Sequence, residues 1–136
     1  MAIQNNIIYL KKSQEKGYLM SNTDDMLYEQ CKCISEELDE LVDKYNHSDD
    51  CNDFIEYFDD NYGIDYIWRM GVGLIGVRIL VAFGGPTIYI DTFDGVVRGY
   101  WGSTQSYPLH YNVVDTINDY FEDCAAENIY FDSHRN

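Results

Sequence analysis

Apolar residues recur at alternating spacings of four and three early in the chain, at Leu27, Cys31, Ile34, Leu38, Leu41, Val42 and Tyr45. That period puts them on one face of a helix. Asn22 or Thr23 serves as N-cap, and Asp24 and Asp25 follow in the first turn, where carboxylates meet the positive end of the helix dipole. A second amphipathic stretch opens near Ser48, turns Cys51, Phe54, Ile55, Phe58 and Tyr62 inward, and meets Gly63 as its expected C-cap. From Ile64 the period falls to two. Ile64, Tyr66, Trp68 and Met70 alternate with Asp65, Ile67 and Arg69, and residues 74–83 are apolar on both alternating sets, as a central strand requires. Gly84-Gly85-Pro86 predicts a turn, 87–93 a third strand, Asp94-Gly95 a two-residue hairpin, and 96–101 a fourth strand. After a loop through Pro108, a last helix starts at Tyr111 or Asn112 with Val113, Val114, Ile117, Phe121 and Cys124 facing inward.

This order defines an α+β fold: two N-terminal helices, a four-stranded antiparallel meander, and a C-terminal helix packed on one face of the sheet. The 136 residues suit a single domain spanning 1–136. Residues 1–20, with Ile3, Ile7, Ile8, Tyr9 and Leu10, fit either an extra strand or a short helix, and 131–136 read as a frayed tail. The start of the chain lacks the basic-then-apolar order of a signal peptide, and the longest apolar stretch, 70–86, is broken by Arg78 and five glycines. A cytoplasmic protein is therefore expected.

Charge is more informative than composition. The formal net charge is -15, and its distribution is uneven: residues 24–65 carry fifteen acidic residues against Lys32 and Lys44, while 66–110 hold two aspartates against Arg69, Arg78 and Arg98. A net -13 within 42 residues exceeds the magnitude of about 2–8 that suffices to keep a small domain soluble. Direct nucleic-acid binding and anionic membranes are both disfavoured by this field. The 13 Tyr, 6 Phe and 2 Trp exclude an acidic disordered chain, because they supply apolar surface that offsets ordering entropy.

Signals for chemistry are weak. Cys31, Cys33, Cys51 and Cys124 form no CxxC pair and read as reduced structural thiols, and His47, His110 and His134 fall in no nucleophile motif. Asp59, Asn61, Gly63 and Asp65 imitate an EF-hand spacing, but the sharp-turn glycine is misplaced and Met70 stands where a bidentate Glu is needed. Gly71, Gly73 and Gly76 spell GxGxxG, yet no helix follows them, so they read as hairpin and bulge residues. No metal, cofactor or catalytic residue is assigned. A metal-dependent acid-catalysing enzyme remains a minor alternative whose turnover chelation would abolish.

The stretch Gly84-Gly85-Pro86-Thr87-Ile88-Tyr89-Ile90-Asp91-Thr92, continuing to Gly99-Tyr100-Trp101-Gly102, resembles small acidic proteins encoded on bacterial phages and mobile elements. In size, acidity and lack of catalytic motifs the chain also looks like anti-CRISPR and anti-restriction inhibitors. The resemblance implies a non-enzymatic inhibitor of a bacterial defence nuclease, a CRISPR effector or another nucleic-acid-binding defence enzyme. Rows of carboxylates on rigid helices can imitate duplex phosphates in such a basic cleft and block target DNA. The candidate contact residues are Glu29, Glu36, Glu37, Asp39, Glu40 and Asp43 on the first helix and Asp50, Asp53, Glu56 and Asp60 on or before the second. The alternative is an interaction module that binds through an aromatic sheet face or edge at Tyr89, Tyr100 and Trp101, with homodimerisation open if that face is uncovered.

Overall fold

The computed structural model describes residues 23–133. The alternatives for 1–20, the capping role of Asn22, and His134 lie outside the described residues. The elements run α1 (Thr23–His47), α2 (Asn52–Asp59), β1 (Gly63–Arg69), β2 (Gly73–Ala82), β3 (Thr87–Asp91), β4 (Val96–Tyr100), β5 (Thr104–Pro108) and α3 (Tyr111–Ser133). The architecture is the α+β arrangement expected: two N-terminal helices, an antiparallel sheet, and a C-terminal helix packed on the sheet. The helix α3 runs into the stretch that the sequence assigns to a tail.

Helix α1 forms because its apolar stripe finds a sheet to cover. Leu27, Cys31, Ile34, Leu38 and Val42 are all buried, with Leu41 and Tyr45 half-buried at the border. Complete burial of such side chains stabilises by about 1.5–3 kcal/mol each. Asp24 and Asp25 lie in the first turn and Lys44 and His47 in the last, the charge order that the helix dipole favours. The helix rests directly on β4 at Gly99, where a Cβ would come within 2.5 Å of Leu27 Cδ1. At the next strand, Ser35 donates its hydroxyl proton to the Pro108 carbonyl oxygen at 2.8 Å, which satisfies a buried polar group.

Helix α2 is shorter than the pattern implies. Asp60 is its C-cap, and Asn61 donates from Nδ2 to the Phe58 carbonyl oxygen, so the helix ends before Gly63, which opens β1 instead. Tyr57 joins Phe54 and Phe58 in the core, whereas Cys51 and Ile55 are half-buried and Tyr62 is exposed. The aromatic rings decide this placement. Tyr45 stacks on Phe54 with centroids 4.1 Å apart, Phe58 meets Phe121 edge-on at 5.6 Å, and Tyr120 meets Phe54 at 5.2 Å. Together they wedge α2 between the end of α1 and α3.

The sheet has five strands in the order β1-β2-β3-β4-β5, all antiparallel, where four were expected. The additional strand β5 falls where the sequence predicts a loop, because its Thr-Gln-Ser-Tyr-Pro sequence has no apolar alternation; backbone pairing with β4 and cover from α1 hold it. Strict alternation in β2 also fails. Ile75 and Val81 are extra residues in the register, so Leu74 and Ala82 turn to the same buried face as Val77 and Ile79. The β3–β4 connection has four residues, not two, since Asp91 pairs with Val96. Thr92 leaves the ladder to bond Val77 N and Asn118, at 2.8 and 2.6 Å, and Asp91 Oδ1 accepts from Asp94 N at 2.9 Å. Gly95 closes the turn at φ +72°, a conformation that glycine adopts without steric cost.

The register divides the sheet into two faces. Ile64, Ile79, Ile90, Val97 and Tyr107 form a row across all five strands on the side covered by α1 and α3. Asp65, Arg78, Asp91 and Val96 form the adjacent row and point the other way, as do Tyr89, Arg98 and Tyr100.

Candidate functional site

Two faces on opposite sides of the shared core carry the candidate residues. On α1, the 100° step per residue places Glu29, Glu36, Glu40 and Asp43 within about 60° of one another and diametrically opposite the buried stripe. The four span about 21 Å of helix. Glu36, Glu40 and Asp43 are exposed and Glu29 is half-buried. Asp39 and Glu37 sit on the two flanks of this stripe and are half-buried. Asp39 Oδ1 lies 2.7 Å from His110 Nδ1, which joins α1 to the start of α3. Asp43 is 3.2 Å from His47 Nδ1 at the helix end.

The α2 carboxylates are all exposed, but several already have partners. Asp53 pairs with Lys44 of α1, and Asp50 Oδ1 accepts from Asn52 N at 3.0 Å. Glu56 and Asp60 lie farther along the same helix end. The structure therefore does not gather all ten carboxylates into one row: Glu29, Glu36, Glu40 and Asp43 share a stripe, and the others flank it or stand on α2. Among the described residues no ion pair forms at Glu36, Glu40 or Glu56.

The opposite face is the side of the sheet that no described helix covers. Asp65, Arg78, Thr87, Tyr89, Asp91, Arg98 and Tyr100 line a depression of about 500 Å³. Its centre is Asp91, whose side chain is only 2% exposed and accepts from Arg78 Nε at 3.0 Å and Arg98 Nη1 at 3.2 Å. Arg98 Nη1 also donates to Asp94 at 2.9 Å, and these carboxylates raise the Arg98 guanidinium above its ordinary value. A carboxylate so deeply buried is stable only when paired and hydrogen-bonded, and Asp91 has both. Tyr89 and Tyr100 meet with centroids 6.3 Å apart and planes at 84°. Trp101 does not join them. It is half-buried, packs against the core, and donates its backbone N–H to the Ser103 carbonyl oxygen at 3.0 Å.

No candidate site read from the sequence brings Arg78, Arg98, Asp65, Asp91 and Asp94 together. The available signal was charge at alternate positions within otherwise apolar strands, but only the register shows that 65, 78 and 91 stand in one row. The remaining chemistry-bearing groups serve the fold. Among the described residues Cys31, Cys33, Cys51 and Cys124 form no disulfide, and burial pushes Cys31 from 9.0 up to about 12, so it stays protonated at neutral pH. His47 Nδ1 lies 2.9 Å from the Asp43 carbonyl oxygen at the end of α1. No cluster of metal-ligating side chains occurs among the described residues, and none of their helices is long and apolar enough to cross a membrane.

Comparison with family models, curated proteins and solved structures gave no match for this chain.

Proposed function

We propose that this protein is a non-enzymatic inhibitor of a bacterial defence nuclease, with a CRISPR effector the first candidate, acting in the bacterial cytoplasm. It occupies a basic nucleic-acid cleft with the outer faces of α1 and α2 and so excludes target DNA. The observation that supports this reading is the Glu29, Glu36, Glu40 and Asp43 stripe on a 25-residue helix whose other side is locked into the core. Carboxylates carried on such a helix keep their backbone spacing on binding, so the ordering cost is confined to their side-chain rotamers.

The stripe holds about one carboxylate per 5 Å of helix, against one charge per roughly 1.7 Å of duplex. One helix therefore supplies about a third of the field that a basic cleft normally meets. The inhibitor reading consequently requires both helices, with Asp50, Glu56 and Asp60 of the α2 region engaged beside α1.

The test compares the native chain with a variant in which Glu36, Glu40 and Asp43 are replaced by Lys, each tagged and passed through nuclease-treated bacterial lysate at low and high salt. The reading expects a basic, nucleic-acid-binding enzyme retained by the native chain at low salt, released at high salt, and not retained by the variant. Equal retention by both chains sinks it.

A second reading is favoured by one observation, the convergence of Tyr89 and Tyr100 on the uncovered sheet face. Under that reading the sheet face docks another protein, or a second copy of this chain, without mimicry of nucleic acid. Retention that survives both high salt and the three reversals, and is lost on Tyr89→Ser with Tyr100→Ser, would favour it.

A further inference from the structure

Arg78 and Arg98 are two of the four arginines in the chain, and both point into one depression on the face farthest from the carboxylate stripe. Their placement is enforced. Asp91 sits between them in the ladder, opposite Arg78 on β2 and two residue pairs along from the Tyr89–Arg98 pair of β3 and β4. The buried carboxylate fixes both guanidinium groups before any ligand arrives, which removes much of the ordering cost of binding.

Arg78 has binding capacity left over. Its Nε is committed to Asp91, while its two Nη groups have no acceptor among the described residues, and the side chain is 45% exposed. A guanidinium held by Nε presents its Nη pair as a fork that matches a carboxylate or phosphate. A cation would fare worse here. Asp91 and Asp94 are already occupied by arginines, so only Asp65 remains for it, and it would face two guanidinium groups. The same depression is lined by the rings of Tyr89 and Tyr100, set at 84° to each other, which offer one flat wall and one edge to a planar group. The volume of about 500 Å³ lies within the range of about 300–1,000 Å³ usual for small-molecule sites. Thr87, Tyr89, Asp91, Arg98 and Tyr100 also come from the 84–102 stretch that stands out in the sequence and that the acidic helices leave unexplained.

We propose that this depression binds a small planar ligand bearing a carboxylate or phosphate group, with the oxyanion on Arg78 and the ring against Tyr89 and Tyr100. The site is independent of the inhibitor reading, since it lies across the core from the carboxylate stripe.

Nuclear magnetic resonance titration of the full chain tests it with five probes: benzoate, phenyl phosphate, inorganic phosphate, acetate and phenol. Either ring-bearing anion should bind saturably and at least roughly tenfold more tightly than the same anion without the ring or phenol alone, with amide shifts centred on Arg78, Tyr89, Arg98 and Tyr100. Tighter binding of benzoate or of phenyl phosphate identifies the oxyanion source as carboxylate or phosphate. Arg78→Lys, which keeps the positive charge beside Asp91 but loses the fork, should weaken binding by roughly tenfold while the amide spectrum stays folded. Asp65→Asn removes the carboxylate that, among the described residues lining the depression, has no arginine partner, and should tighten binding by about fivefold. The proposal is overturned if neither ring-bearing anion saturates below about 10 mM, if inorganic phosphate binds as tightly as phenyl phosphate, or if folded Arg78→Lys binds as the native chain does.

Discussion

The outer face of α1 and the open face of the sheet both carry carboxylates, yet the two sets have opposite relations to the fold. Glu36, Glu40 and Asp43 project from a helix that would hold its position without them, because its stability comes from Leu27, Ile34, Leu38 and Val42 on the other side. Asp91 is buried between two arginines and accepts a turn N–H as well, so the β3–β4 connection is organised around it. Net charge counts both kinds of residue alike. Their energetics differ because an exposed carboxylate keeps its water, whereas a buried one has exchanged water for protein donors.

That contrast is most directly broken at Asp91. Asp91→Ala leaves Arg98 and Arg78 without their shared acceptor and the turn without its hydrogen bond, and should cost about 2–4 kcal/mol. Urea unfolding measures it; a loss below 0.5 kcal/mol would place Asp91 in the same class as the helix carboxylates. Alkaline pH then isolates the core between the faces. Cys31 is raised from 9.0 to about 12 and Tyr120 from 10.0 to about 12, and burial also raises Tyr57. The fold favours the neutral form of each of these acids. Their contribution is therefore complete well below pH 9 and is lost as pH climbs toward 12, with about 2–3 kcal/mol gone by pH 11 from Cys31 alone. Thermal unfolding from pH 8 to 11 reads this directly, and Cys31→Ala or Cys31→Ser should flatten the early part of the decline.

The sheet face itself contains a finer contrast. Trp101→Ala, which removes a half-buried ring packed on the core, should cost about 1–2 kcal/mol, whereas Tyr100→Ser on the open face should stay within about 0.5 kcal/mol. Equal losses in denaturant melts would mean that the two residues share a surface after all. Smallest of all is the stability effect of replacing Glu36, Glu40 and Asp43 by Lys. It should lie within about 1 kcal/mol of native and be stabilising at low salt, because the reversals relieve self-repulsion in a chain of net charge -15. A destabilised variant that regains stability on added salt would contradict this sign.

Legibility followed the strength of periodicity. The α1 stripe was readable residue by residue because seven apolar positions keep one helical period, and the four acids opposite it followed from the same geometry. Strand β5 was not readable, since Thr104, Ser106 and Pro108 have no apolar partner rhythm and the strand depends on β4 and α1 for its existence. The bulges at Ile75 and Val81 were hidden for a related reason. An apolar run fits any register, and the choice is made by what packs on each face. Tyr89 and Tyr100 were identified as one candidate surface with Trp101, but two consecutive strand positions, 100 and 101, cannot share a face unless a bulge intervenes.

Spacing and composition alone set the order of helices and sheet, the direction in which α1 turns its acids, and the imbalance between an acidic first half and a near-neutral middle, because each is a local property. It takes the assembled sheet to bring Asp65, Arg78 and Asp91 into one row, to bury Asp91 between Arg78 and Arg98, and to face Tyr89 and Tyr100 to a depression while Trp101 turns to the core. These depend on strand register, and register is fixed by burial of one whole face against α1 and α3, an energy that no short window of sequence contains.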